Sequence, residues 1–99
     1  MDRLILLRHG KAERDSASGD DFDRKLTERG VRESAAMAAT LADLGLIPDV
    51  VLVSPAARTR GTWAAAQGAF PQAASRIEQS LYHAEERVVG GVGRQRMRI

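Results

Sequence analysis

The chain has 99 residues, no cysteine, two histidines and a formal net charge of +2. That length allows one domain, able to bury ~60–65% of its unfolded surface. The lack of cysteine excludes a disulfide framework, a thiol nucleophile and a cysteine zinc site, leaving His9 and His83 as the imidazoles. Residues 1–84 hold eleven Lys/Arg and eleven Asp/Glu, and the excess comes from Arg87, Arg94, Arg96 and Arg98 against Glu85 and Glu86. A body of balanced charge gives no general argument for a nucleic-acid partner.

Leu4-Ile5-Leu6-Leu7 follows three residues that include two charges. The run is too short for a signal peptide or a membrane span, and nothing else approaches the ~20 apolar residues a span needs, so a soluble cytoplasmic protein is expected. Four consecutive aliphatics read as a strand buried on both faces of a parallel sheet. Arg8-His9-Gly10 ends it, at the carboxyl edge where open α/β sheets bind ligands. A cation, an imidazole and a glycine that lets an anion approach the backbone are placed there for phosphate chemistry.

Residues 11–25 are polar and without period, which reads as a long loop leaving directly from that edge. Thr27 is the expected cap of a first helix, with Leu26 available for a staple against Val31 and Gly30 a cost of about 1 kcal/mol against Ala. Ala35, Ala38, Leu41 and Ala42 fall on one face, widened by Met37 and Leu44, and Gly45 closes the helix.

Pro48-Asp49 turns the chain into a second strand, Val50 to Val53, and strand, helix and strand form a crossover unit. Ser54-Pro55 suits a helix start, so a second helix is expected from about Ala56 to Phe70, with Ala57, Thr62, Ala65 or Ala66 and Ala69 inward. If the two strands are parallel neighbours, Arg58 in its first turn emerges at the same edge as His9, where a guanidinium and a helix N-terminus both favour an anion. Pro71 ends that helix, and Arg76 to Tyr82 reads as a short strand or extended segment. Residues 85–99, with three glycines and interleaved arginines, read as a disordered tail, and deleting residues 87–99 is expected to leave stability nearly unchanged.

Three stretches in order resemble one family, the small phosphohistidine phosphatases of the SixA type in the histidine phosphatase (phosphoglycerate mutase-like) superfamily. They are Leu4 to Gly10, Asp23 to Gly30 (Arg-Pro-Leu-Thr-x-x-Gly in the family, with Lys25 in place of proline) and Val51 to Thr62 (Val-x-Ser-Pro-x-x-Arg-x-x-x-Thr). Leu81-Tyr82-His83-Ala84 matches a fourth landmark. The resemblance implies an α/β fold, the N-terminal part of a parallel-sheet, three-layer phosphoglycerate mutase-like architecture, incomplete. A partial domain spans residues 1–84, and residues 85–99 form the tail.

By the same resemblance His9 is the nucleophile, giving a phosphohistidine enzyme that water hydrolyses, while Arg8, Gly10 and Arg58 bind the phosphoryl group. The guanidinium charges offset the charge of the transferring group, so no metal and no cofactor are called for. Glu85 or Glu86 stands where mutase-type relatives carry a general acid; a solvated pair opening a loose tail is the competing reading. The second histidine that the superfamily takes from a Gly-His pair has no counterpart, and His83 belongs to the Leu-Tyr-His-Ala landmark instead. The expected protein is a phosphatase truncated or frame-shifted after about residue 84, with natural shortening or an excised fragment as competitors. Its expected partner is a phosphohistidine protein, with a small phosphomonoester or phosphate binding without turnover as alternatives, and no nucleic acid or membrane.

Overall fold

The computed structural model describes residues 3–81 and 95–99. Strands β1 (Arg3–Leu6), β2 (Val50–Val53), β3 (Ala74–Ile77) and β4 (Gln95–Arg98) form one parallel sheet in the order β1-β4-β2-β3. Helices α1 (Glu28–Asp43) and α2 (Ala57–Ala66) connect β1 to β2 and β2 to β3. This is the expected parallel α/β arrangement with one correction: β1 and β2 are parallel but not neighbours. β4 lies between them, pairing Leu6 with Arg98 on one side and Leu52 with Arg98 on the other.

β4 overturns the reading of residues 95–99 as a disordered tail, and its buried side chains argue that deleting residues 87–99 would cost stability. Met97 is fully buried and Ile99 nearly so, while Arg96 and Arg98, which alternate with them, are only partly covered. Arg-Met-Arg-Ile is therefore a strand alternation written with arginine on one face, which the arginine and glycine content of the surrounding sequence conceals. Residues 82–94, including Tyr82, His83, Glu85 and Glu86, lie outside the described residues.

The core forms where Val51, Val53, Met97 and Ile99 meet Ala38 of α1, Ala66 of α2 and Phe70, with Ile5 and Leu7 of the first strand packed against them. Both helices thus cover one face of the sheet. On the other face, Leu6, Arg98, Leu52 and Arg76 fall in one register row, and Leu6 is 48% exposed. The β1 run is therefore not buried on both faces among the described residues, and it forms an edge of the sheet there.

The helix ends follow local chemistry. Thr27 Oγ1 accepts the Gly30 amide at 2.9 Å, the expected N-cap. At the other end Gly45, with φ of 76°, lets its own amide reach the Ala42 carbonyl and the Leu46 amide reach Leu41, which satisfies two terminal carbonyls. The inner face is rotated from the expected one: Gly30, Ser34 and Ala38 are buried, whereas Ala35, Met37 and Leu44 are exposed. No staple forms, since Val31 is exposed and Leu26 lies against Gly61.

α2 begins with Ala56 in the capping position and no side-chain cap, so Ser54 is not the cap. The Ser54 carbonyl instead accepts the Thr59 hydroxyl at 2.6 Å, which ties the end of β2 to the first turn of α2. The helix tightens into a 3-10 turn at Gln67–Ala69 before Pro71, and Phe70 stacks on Trp63 with ring centroids 6.5 Å apart. No described helix is long and apolar enough to cross a membrane.

Candidate active site

The carboxyl ends of β1, β4 and β2 lie along one edge of the sheet, so Arg8-His9-Gly10, Arg98-Ile99 and the start of α2 converge there. Arg8, His9 and Arg98, with Leu6, Leu7 and Ile99, line an open pocket of about 330 Å³. Arg8 is exposed and His9 half-buried. His9 Nδ1 lies 2.8 Å from the Gly10 carbonyl oxygen. A carbonyl can only accept, so this contact requires the proton on Nδ1 and leaves the Nε2 lone pair outward in the neutral ring.

Gly10 serves packing more than anion approach. Its amide donates to Thr62 Oγ1 at 3.0 Å, and the Thr62 hydroxyl donates in turn to the Arg58 carbonyl at 2.8 Å. A Cβ at Gly10 would stand 2.6 Å from both the Gly30 carbonyl oxygen and Ser34 Oγ. The glycine is thus demanded by the close approach of α1, and its amide is already engaged. Thr62 is the residue through which the end of β1 is fastened to α2. A buried threonine in an alanine-rich helix, one turn after Arg58, is the sequence signal for that role.

Arg58 occupies the expected first turn, but its guanidinium turns to the 11–25 loop. Nη1 donates to the Asp21 carbonyl at 3.0 Å and lies 3.1 Å from Asp21 Oδ2, with the Arg58 side chain only 16% exposed. Asp21 also pairs with Arg24 Nη1 at 2.8 Å, and Arg24 Nε reaches the Glu13 carbonyl. The loop, read from sequence as lacking any period, is braced: Asp21–Asp23 forms a 3-10 turn, Ser18 donates to Asp23, and Ala12 bridges Leu26. Arg58 does not line the Arg8 and His9 pocket in this arrangement, although two hydrogen bonds through Thr62 connect its backbone to Gly10. Sequence reasoning missed Asp21 and Arg98, and Glu85 falls outside the described residues.

A parallel sheet with an Arg-His-Gly turn at its carboxyl edge and an arginine in the first turn of the second helix defines an α/β protein whose ligand edge is lined by an imidazole and cations. The sequence model of the Histidine phosphatase superfamily (branch 1) matches residues 4–85, and the chain belongs to that superfamily. A candidate phosphohistidine phosphatase SixA from Agrobacterium tumefaciens superposes with a TM-score of 0.76 at 40% identity, covering 83% of this chain and 53% of that one. Its counterpart from Nakamurella multipartitia gives 0.78 at 33% identity, covering 96% of this chain and 56% of its own. A protein histidine phosphatase SixA complexed with tungstate gives 0.71 at 30% identity over 79% of this chain and 49% of that one. An uncharacterised chloroplastic protein of Arabidopsis thaliana is 45% identical over 60 residues, 61% of this chain and 28% of that protein. The chain spans about half the length of the solved structures it matches, and the 96% cover extends the likeness into the residues read from sequence as a tail.

Proposed function

We propose that this chain carries the nucleophile side of a phosphohistidine phosphatase site, with His9 as the attacking residue. The observation that carries the reading is the His9 Nδ1 contact to the Gly10 carbonyl, which assigns the proton to Nδ1 and presents Nε2 as the nucleophile. Nε2 attacks phosphorus, the bond from phosphorus to the leaving nitrogen or oxygen breaks, and the leaving group takes a proton. Water then cleaves the P–Nε2 bond, returning inorganic phosphate and the neutral imidazole. Arg8 and Arg58 hold the phosphoryl oxygens, Arg58 after turning from Asp21, and Glu85 is the candidate proton source.

The names of the structural neighbours favour phosphohistidine in a protein partner as the substrate. The expected compartment is the cytoplasm. Incubation with phosphoramidate should leave an acid-labile, alkali-stable phosphate on His9, and hydrolysis of a phosphohistidine protein should exceed that of p-nitrophenyl phosphate. Label on Ser54 or another hydroxyl instead would overturn the mechanism. A second reading, phosphate binding without turnover, is favoured by the histidine inventory, since the 99 residues contain only His9 and His83 and no Gly-His pair. It predicts vanadate binding with no phosphate release.

A further inference from the structure

We propose that Arg98, on the middle strand of the sheet, is a third cationic contact for the phosphoryl group at His9; this deepens the function proposed above and rests on it. Leu6 pairs with Arg98 across the ladder, and the Leu7 amide donates to the Arg98 carbonyl at 2.9 Å. The residue is thereby held level with Leu6, two positions before Arg8 and three before His9 along the first strand. Arg98 lines the same pocket as both.

Strand alternation sends Met97 and Ile99 into the core and puts Arg98 on the other face, so hydrophobic packing does not explain an arginine at this position. Its Nη1 atom is shielded from solvent. A guanidinium partly shielded from water makes stronger ionic contacts than a fully exposed one, and its planar fork fits two phosphoryl oxygens at once. Arg8 reaches the pocket from an edge strand and is exposed, whereas Arg98 reaches it from the centre of the sheet, where both neighbouring strands fix its backbone. The cation whose backbone is held on both sides is therefore Arg98, with Arg8 supplying the more exposed one.

The test uses orthovanadate as the probe. Arg98→Met, which keeps the length of the side chain and removes the charge, should weaken vanadate binding about 10- to 100-fold. Arg98→Lys should recover part of that loss, because charge is restored without the fork. In the unsubstituted protein, the Arg98 Nε–Hε resonance, assigned by its disappearance in Arg98→Lys, should shift on vanadate titration. That measurement decides the matter even where Arg98→Met fails to fold. Vanadate affinity within twofold of the parent in a folded Arg98→Met variant, or an Arg98 resonance unmoved at saturation, overturns the assignment. Phosphoramidate labelling of His9 is followed in parallel: loss of label from the unsubstituted chain with the Arg98 effects intact sinks the phosphatase reading, and the converse sinks only Arg98.

Discussion

Gly30→Ala sets two known magnitudes against each other. Gly30 stands in the first turn of α1, where helix propensity alone makes alanine better by about 1 kcal/mol. A Cβ there, however, would lie 2.9 Å from the Lys11 amide nitrogen and closer still to the Lys11 carbonyl oxygen. That carbonyl cannot simply move, because it accepts both the Thr27 amide at 2.8 Å and the Thr27 hydroxyl at 3.1 Å, and the same hydroxyl caps the helix. Overpacking costs ~1–3 kcal/mol, and each of the two displaced hydrogen bonds adds ~0.5–1.5 kcal/mol. After the propensity gain of about 1 kcal/mol the net loss is ~1–5 kcal/mol, a drop in melting temperature on the order of 5–40 °C for a domain of this size. Thermal melts by circular dichroism measure it, with Gly68→Ala as control, since nothing lies within 4 Å of a Cβ at Gly68. The control should hold or rise slightly. A Gly30→Ala protein as stable as its parent would mean that Lys11 and α1 do not make this close contact, and the placement of His9 argued from it would fall.

Thr62→Val keeps the shape of the side chain but leaves the Gly10 amide without its acceptor, so it should cost ~1–3 kcal/mol in urea titration and weaken vanadate binding as well. Arg58→Ala should weaken vanadate binding by ~1.5–3 kcal/mol, whereas exposed Arg60, two positions further round α2, should change it little when replaced by alanine. Equal effects from the two would place the wrong helix face toward the phosphoryl group. Met97→Ala should destabilise by ~2–5 kcal/mol, because that side chain is fully buried between β1 and β2. Unchanged unfolding would remove β4 from the sheet.

What could be read beforehand followed the strength of the local signal. The aliphatic runs before Arg8 and Ser54, and the threonine and glycine that bound α1, carry information at their own positions, and all four lie within two residues of where they were expected. The rotation of α1 was hidden because alanines fill both faces, so hydrophobicity does not rank Ala35 against Ala38. Contact with Gly10 decides it, and that requires small groups at Gly30 and Ser34. β4 was hidden for a different reason: its two outward positions are arginines, so composition masked an alternation only four residues long, Arg96 to Ile99. In the site, His9, Arg8 and Arg58 were legible as residue types at a strand end and a helix start. The pairing of Arg58 with Asp21 was not, because it joins residues 37 positions apart through a loop with no periodic signal.

The order of strands in space has a consequence for the order of events in folding. β2 and β3 pair across 24 positions, whereas β1 has to wait for a partner 92 positions away. Loop closure over the longer distance costs about 1 kcal/mol more entropy, and contacts of such separation form late. Helices α1 and α2 with the β2–β3 pair therefore constitute the early nucleus, and the strand that delivers His9 docks last. Catalytic geometry would then be acquired in the final step of folding, after most of the apolar surface is already covered. A partly folded chain would be compact while remaining unable to bind phosphate.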